Sequence, residues 1–297
     1  MTSISPRAVF VTRETDYELL LSRHATHEQA RFHLETRGQK ISEVEHRHAD
    51  FIDTLKQARA VVPPDWKQTL VRRSDLNRFL FAPDDVIIAV GQDGLIANVA
   101  KYLDGQTVFG VNAAPQLYDG VLVRLRVDQL SARLSDYLHQ DIDVQRRTMV
   151  EAVLDGGERL FALNELFVGH RSHQSARYRI AQGDQQENQS SSGVIVASGT
   201  GATGWARSIM EATGAKLSIL PEEAAIAYFV REPFPSISTG TSMRAAKLKH
   251  GSLEITSRMN EGGVVFADGI EQDFLSFDWG RKIDIQPSRR NLHLVAS

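Results

Sequence analysis

The chain has 297 residues, of which 42% are hydrophobic and 24% charged, and a formal net charge of −3. This is the composition of a globular protein of two domains, or of one large one. The near-neutral balance argues against a protein built mainly to hold nucleic acid, which carries a strongly basic footprint. Cysteine is absent, which excludes disulfides, thiolate zinc sites, iron–sulfur clusters and cysteine nucleophiles, and fits a reducing compartment. The first seven residues open directly into the apolar run 8–11, too brief for the core of a secretion signal. The runs 86–90 and 224–230 fall far short of the roughly 20 apolar residues of a membrane span. A soluble cytoplasmic protein with no membrane partner is expected.

In chain order, 8–11 is a short β-type run. Residues 17–34 mix apolar and charged positions at helical spacing, with Leu19, Leu20, Ala30 and Leu34 facing inward. A second amphipathic segment covers 44–60, with Phe51, Ile52 and Leu55 on one side, and Pro63-Pro64 stops it. After a short strand at 69–71 comes the run 85–90, apolar after Asp85 and therefore suited to burial on both faces of a parallel sheet. Gly91-Gln92-Asp93-Gly94, a helical stretch at 95–102 and a strand at 107–111 complete an α/β pattern over residues 1–125. Beyond Val127 the character changes to short β-branched and aromatic runs at 159–168, 175–180, 194–197, 253–256, 263–267 and 282–285, with one clear helix at 205–212. The polar stretch 182–192 reads as a solvated connection. Three segments follow: an α/β domain over 1–127, a β-rich domain over 128–285, and a C-terminal segment, 286–297, returning to the first domain.

Three places carry chemical potential. Gly91-Gln92-Asp93-Gly94 sits where a buried strand meets a helix, and open α/β sheets bind ligands beyond the carboxyl ends of their strands. Glycines there admit phosphate oxygens to backbone N–H groups. Asp93 either takes a proton from a hydroxyl nucleophile, helps hold Mg²⁺, or simply caps the helix. The second place is Gly199-Thr200-Gly201-Ala202-Thr203-Gly204, which formally matches the dinucleotide fingerprint, with Glu222 and Glu223 downstream. It lies in the β-rich half without a clean βαβ unit, so it is either a phosphate- or ribose-holding turn or a surface turn. The third is Asn164-Glu165, embedded between Leu160-Phe161-Ala162-Leu163 and Leu166-Phe167-Val168. A carboxylate in such a run is costly unless paired, with Arg171 or Arg177 for instance, or used to recognise hydroxyls or a base edge. His46 and His48, two apart in a helical segment, do not share a face and are no metal pair. No P-loop pattern occurs.

Taken in order, these motifs resemble those of the NAD kinase family. The family's Gly-Gly-Asp-Gly-Thr loop is matched by Gly91-Gln92-Asp93-Gly94-Leu95, its Gly-Val-Asn strand end by Gly110-Val111-Asn112, and its Asn-Glu pair by Asn164-Glu165. Its glycine-rich segment is matched by Thr200-Gly201-Ala202-Thr203-Gly204-Trp205, and its late Asp-Gly by Asp268-Gly269. Ser191-Ser192-Gly193 and Val230-Arg231-Glu232-Pro233 are similar to the branch of mitochondrial-type and plant NADH kinases. The chain departs from the family at Gln92, which replaces a glycine, and at Leu95, which replaces a threonine.

The resemblance implies an α/β nucleotide domain followed by a mostly-β domain. It implies transfer of the γ-phosphate of ATP to the 2′-hydroxyl of the adenosine ribose of NAD(H), with Mg²⁺ carried in by ATP. Asp93 would be the base. Gly91, Gln92, Gly94 and Asn112 would face the phosphates. Asn164, Glu165, Thr200, Gly201, Thr203, Gly204, Trp205 and Ser208 would hold the dinucleotide. No resident metal or nucleic-acid partner is implied, and a homodimer or larger homo-oligomer is. Rival readings are a non-catalytic nucleotide sensor that lost turnover through Gln92 and Leu95, a kinase for a lipid-type hydroxyl, and an NAD(P)-dependent oxidoreductase using residues 199–204 as a Rossmann turn.

Overall fold

A computed structural model describes residues 5–270 and 273–296. The first four residues, on which part of the leader reading rests, and Ser297, which closes the expected C-terminal segment, lie outside the described residues. The backbone divides into two compact units. One contains the chain up to Gln145 together with His293 onward, and the other runs from Arg146 to Leu292.

Unit 1 is built on a parallel sheet. Its elements are β1 (Arg7–Thr12), α1 (Asp16–His24), α2 (His27–Glu35), α3 (Ile41–Ala60), β2 (Lys67–Arg72), β3 (Asp85–Gly91), α4 (Asp93–Ala100), β4 (Thr107–Asn112) and α5 (Val127–Leu138). The strands lie in the order β2-β1-β3-β4, all parallel. Every residue of β3 is buried, as its nearly unbroken apolar run requires. The charged entry residue Asp85 is neutralised by Arg7, whose Nε and Nη2 donate to its two carboxylate oxygens at 2.8 and 2.5 Å. Phe51 and Leu55 of α3 pack on the core. Ile52 does not, because a 100° step per residue turns it to solvent at 45% exposure, and Leu19 of α1 is likewise 37% exposed.

The unit boundary lies at Gln145–Arg146, not at residue 127. The reason is α5, whose Leu130 and Leu134 are inserted into the same core as Phe10, Ile88 and Phe109. The spacing of Val127, Leu130, Leu134 and Tyr137 is helical, but loop-like polar flanks conceal it. The return of the chain end begins at His293, later than residue 286. There His293 and Leu294 pair in parallel with Thr107 and Val108 of β4.

Unit 2 is a two-sheet β structure. Its elements are β5 (Val144–Leu154), β6 (Arg159–Ala162), β7 (Glu165–His170), β8 (Ala176–Gln182), β9 (Gln185–Ser191), β10 (Val194–Ala197), α6 (Trp205–Thr213), β11 (Ile226–Val230), β12 (Ala245–Leu248), β13 (Leu253–Ser257), β14 (Gly263–Ala267), β15 (Leu275–Ser276) and β16 (Lys282–Val295). One sheet has the order β12-β11-β10-β7-β14-β15. The other runs β16-β13-β8-β9, with β5 pairing β16 and β6. Alternate residues of both sheets, such as Leu166 and Val168 on β7 and Tyr178 and Ile180 on β8, share one core. The opposite face of the first sheet is covered by α6, which packs Ala206 against Ala197, Ala227 and Phe229. Strands β10 and β11 are therefore buried on both faces although they are antiparallel.

Two expectations change here. The stretch 182–192 is not a solvated connection: its residues form β9, joined to β8 through Gly183-Asp184 in a hairpin. Gln189 and Ser191, its two buried side chains, have partners. The Tyr178 hydroxyl lies 3.0 Å from Gln189 Oε1 and 2.7 Å from Ser191 Oγ, and burial drives its pKa strongly upward. The run 159–168, in turn, is broken at Leu163-Asn164 into β6 and β7.

The placement of α5 has a direct test. Leu130→Ala, fully buried, should cost about 2–5 kcal/mol of stability. Leu138→Ala, 49% exposed, should stay within about 0.5 kcal/mol of the parent in urea unfolding.

Candidate functional site

In unit 1, Gly91 ends β3 and Asp93 opens α4. Asp93 is not the helix cap: the capping position is Gln92, whose side chain makes no capping bond. The Asp93 carboxylate instead reaches the segment after β4. Its Oδ2 accepts the N–H of Val121 at 2.8 Å, and its Oδ1 accepts those of Leu122 and Val123 at 2.8 and 3.0 Å. This segment lies directly on β4 at Gly110, where a Cβ would come within 2.3 Å of the Leu122 carbonyl oxygen. Asn112 is occupied in a similar way. Its Nδ2 donates to the Tyr118 carbonyl at 2.7 Å and its Oδ1 accepts the Ala114 N–H at 2.9 Å. Its side chain shapes the loop 113–118. A Cβ at Gly94 would meet nothing within 4 Å, so backbone is accessible there.

In unit 2 the same device recurs. Asp268 sits at φ +50°, a left-handed conformation that Asp tolerates better than most residues. Its Oδ2 accepts the N–H of Leu163 at 2.9 Å, and its Oδ1 those of Asn164 and Glu165 at 2.7 and 3.2 Å. This clasp explains the break between β6 and β7, since those amides turn to a carboxylate rather than to a neighbouring strand. Ser198, fully buried at the end of β10, ties the next loop to it. Its Oγ donates to the Leu163 carbonyl and accepts the N–H groups of Thr200 and Gly201. Asn164 O accepts the Ser198 N–H at 2.9 Å.

The close approach leaves no room for side chains: a Cβ on Gly201 would lie 2.1 Å from the Asn164 carbonyl oxygen, and one on Gly199 2.0 Å from that of Leu220. These glycines are spacers against backbone. Strand β10, which precedes them, is antiparallel to both β7 and β11. The Rossmann reading of residues 199–204 is thereby overturned, because that motif needs a parallel βαβ unit and glycines open to a pyrophosphate.

Glu165 has no cation partner among the described residues, so neither Arg171 nor Arg177 neutralises it. Burial, reinforced by the nearby Asp268 carboxylate, pushes its pKa up to about 7. The Asn164 side chain makes no hydrogen bond among the described residues either, so an amide and a carboxyl group stand adjacent and uncommitted. Thr200 Oγ1, by contrast, receives Nη1 of the buried Arg147 at 3.4 Å, and Thr203 Oγ1 donates to the Thr200 carbonyl at 3.1 Å. Gly204 leads into α6. Trp205 stacks on Phe167 at 6.2 Å, and the Arg231 guanidinium lies over its ring at 5.2 Å. Ser208 lies on the same helix, and with Trp205, Ile209, Val230, Arg231 and Pro233 it lines a groove apart from Asn164 and Glu165.

The structure thus gathers Asn164, Glu165, Thr200 and Gly201 into one knot, and Gly91, Asp93 and Asn112 around another. Sequence reasoning matched Asp268 but gave it no role, and it missed Ser198 and Arg147. The Asp-Gly dipeptide at 268–269 was the available signal, being a turn former beside a strand. No group of three or more His, Asp or Glu side chains able to hold a metal lies among the described residues. No described helix is long and apolar enough to cross a membrane.

The chain is an α/β unit followed by a β-rich one. No family model matches the chain. It is 23% identical over 255 residues to an NAD kinase of Chlorobaculum tepidum, covering 84% of this chain and 82% of that protein. It is 22% identical over 216 residues to NAD kinase 2 of Geobacillus kaustophilus, covering 71% and 78%. Among solved structures it resembles an NAD kinase from Archaeoglobus fulgidus in complex with ATP, with a TM-score of 0.60, 19% identity and coverage of 97% and 93%. It also resembles the yeast NADH kinase complexed with NADH, with a TM-score of 0.61, 17% identity and coverage of 99% and 84%. The chain shares its fold with these NAD kinases.

Glu165 has a pH signature. Its folded-state pKa lies above the unfolded value, so the native state binds the proton more tightly. The stability this contributes is complete below about pH 4.5 and is lost as pH rises through about 7. Between pH 5 and 8 the parent should lose up to about 3 kcal/mol relative to Glu165→Gln. Parallel pH profiles of the two unfolding free energies would refute the burial of an unpaired carboxyl.

Proposed function

We propose that the protein is a kinase that transfers the γ-phosphate of ATP to the 2′-hydroxyl of the adenosine ribose of NAD(H). The observation that carries this reading is the Asn164-Glu165 pair. It is held rigidly by the Asp268 clasp, its side chains are uncommitted, and it lies in a chain with the fold of proteins named NAD kinase and NADH kinase. An amide and a carboxyl group side by side can accept and donate to ribose hydroxyls and a base edge, and preorganisation lowers the ordering cost of doing so. Thr200, Gly201, Thr203 and Gly204 supply backbone on the other side of the dinucleotide, whereas Trp205 and Ser208 line a separate groove along α6.

In unit 1, Gly91, Gln92 and Gly94 face the phosphates of the donor. Mg²⁺ comes as the companion of ATP, neutralising the triphosphate as part of the substrate. In this reading Asp93 takes the ribose proton as the oxygen attacks the γ-phosphorus. The bond from that phosphorus to the β,γ-bridging oxygen breaks, and ADP leaves. Three of the four or so lone-pair positions of the carboxylate are used by the amides of 121–123, which leaves one for a hydroxyl. The amides fix the orientation of that remaining lone pair while making the carboxylate a weaker base. The motifs shared with the mitochondrial-type and plant branch, and the homo-oligomeric, cytoplasmic setting usual in the family, belong to the same reading. A catalytically silent sensor would also bind NAD, and turnover separates the two.

Purified protein given Mg-ATP and either NAD or NADH should form NADP or NADPH, detected with a coupled dehydrogenase. No product from either acceptor would refute the kinase reading. Asp93→Asn should lower kcat by about 10²–10⁴-fold if Asp93 is the base. Full retention of the rate would reduce Asp93 to a loop clasp.

A further inference from the structure

Gln92 is a problem for phosphate binding through backbone, because its side chain stands where the matched loop has glycine. The unit 1 cleft beside it offers a solution. That cleft lies where β1 and β3 end at their carboxyl edges, and Gly91 and Gln92 form part of its wall. Arg13, the residue after β1, and Arg47, on α3, line the same cleft. Most arginines of this unit are engaged, as Arg7 is with Asp85, Arg31 with Glu28, Arg72 with Glu18 and Arg133 with Asp136. Arg13 and Arg47 have no ion pair or hydrogen bond among the described residues, and both are exposed.

The other charges on the cleft do not cancel them. Glu14 is turned to Arg72, at 3.9 Å, and to the Ser74 hydroxyl, at 3.3 Å. Asp16 lies in the first turn of α1, where the positive end of the helix dipole offsets its charge. His48 is held by Thr15, with Nδ1 2.8 Å from the threonine hydroxyl. Phe51, Leu117 and Tyr118 make the remaining wall apolar. Two uncommitted guanidinium groups beside an apolar wall, at the carboxyl edge of a parallel sheet, suit a phosphate chain attached to a flat base.

We propose that Arg13 and Arg47 bind the triphosphate of the phosphoryl donor, a side-chain cradle that supplements the backbone at Gly91 and Gly94. This deepens the kinase reading and rests on it for the identity of the donor, but the anion site itself stands separately.

The test uses the full chain and two probes, inorganic tripolyphosphate and Mg-ATP, titrated calorimetrically, with steady-state kinetics alongside. Arg13→Ala and Arg47→Ala should each weaken tripolyphosphate and Mg-ATP binding by about 10-fold. The double variant should lose more than either, and its KM for NAD(H) should stay within about threefold of the parent. Arg13→Lys with Arg47→Lys should recover part of the affinity, since the charge returns without the bidentate fork. Unchanged tripolyphosphate affinity in the double alanine variant, or none in the parent, would overturn the proposal. So would an equal rise in both KM values. Arginine-dependent tripolyphosphate binding in a protein that makes no NADP(H) would support the anion site and refute the kinase reading, so the two fail separately.

Discussion

One interaction recurs at both candidate loops: an aspartate carboxylate that accepts three consecutive backbone N–H groups, one on one oxygen and two on the other. Asp93 does this for residues 121–123 and Asp268 for residues 163–165. Consecutive amides of an irregular segment have no ladder to join, and leaving them unpaired in a buried place would cost about 1–3 kcal/mol each. A single charged acceptor satisfies all three and fixes the segment's shape. Each clasp leaves the residues at its centre with defined backbone and, in the second case, with side chains free to meet a ligand.

The surrounding structure is arranged around these clasps. Ser198 links residue 163 to the turn at 200–201, and Gly201 lets that turn lie on the Asn164 carbonyl. Gly110 performs the corresponding service beneath residues 121–123. The price of the second knot is Glu165, an unpaired carboxyl beside Asp268 in a half-buried place. Such a group is unfavourable to the fold by itself, which is the pattern expected of a residue kept for a ligand. Arg13 and Arg47 are the converse case, cations without partners on an exposed cleft wall.

Much of this was legible in the chain, and what was not has a physical cause. The all-apolar run of β3, the helix at Trp205–Thr213 and the β-rich second half follow from local pattern, because burial on both faces or on one helical stripe leaves a periodic trace. The hairpin strand β9 left none: its residues are polar, and the two that are buried, Gln189 and Ser191, find their partner in Tyr178 of the neighbouring strand. The same holds at the site. Asn164-Glu165 stood out as polar residues in an apolar run, whereas the role of Asp268 depends on amides more than a hundred positions away. The glycines at 199–204 resembled a dinucleotide fingerprint, yet their spacing reflects contacts with the backbone of Asn164 and Leu220. Sequence separation hides such contacts, and only the antiparallel pairing of β10 distinguishes the two readings.

The central claim is that Asp268 acts through Asn164 and Glu165, holding them in a binding geometry. The most direct test is a double-mutant cycle on the calorimetric Kd for NAD(H), with Asp268→Asn, Glu165→Gln and the pair, in proteins verified as folded by circular dichroism. If the clasp positions Glu165, each single variant weakens binding by about 10-fold or more, and the double loses little beyond the larger single effect. Strictly additive losses, or an Asp268→Asn protein that binds NAD(H) as the parent does, would contradict it.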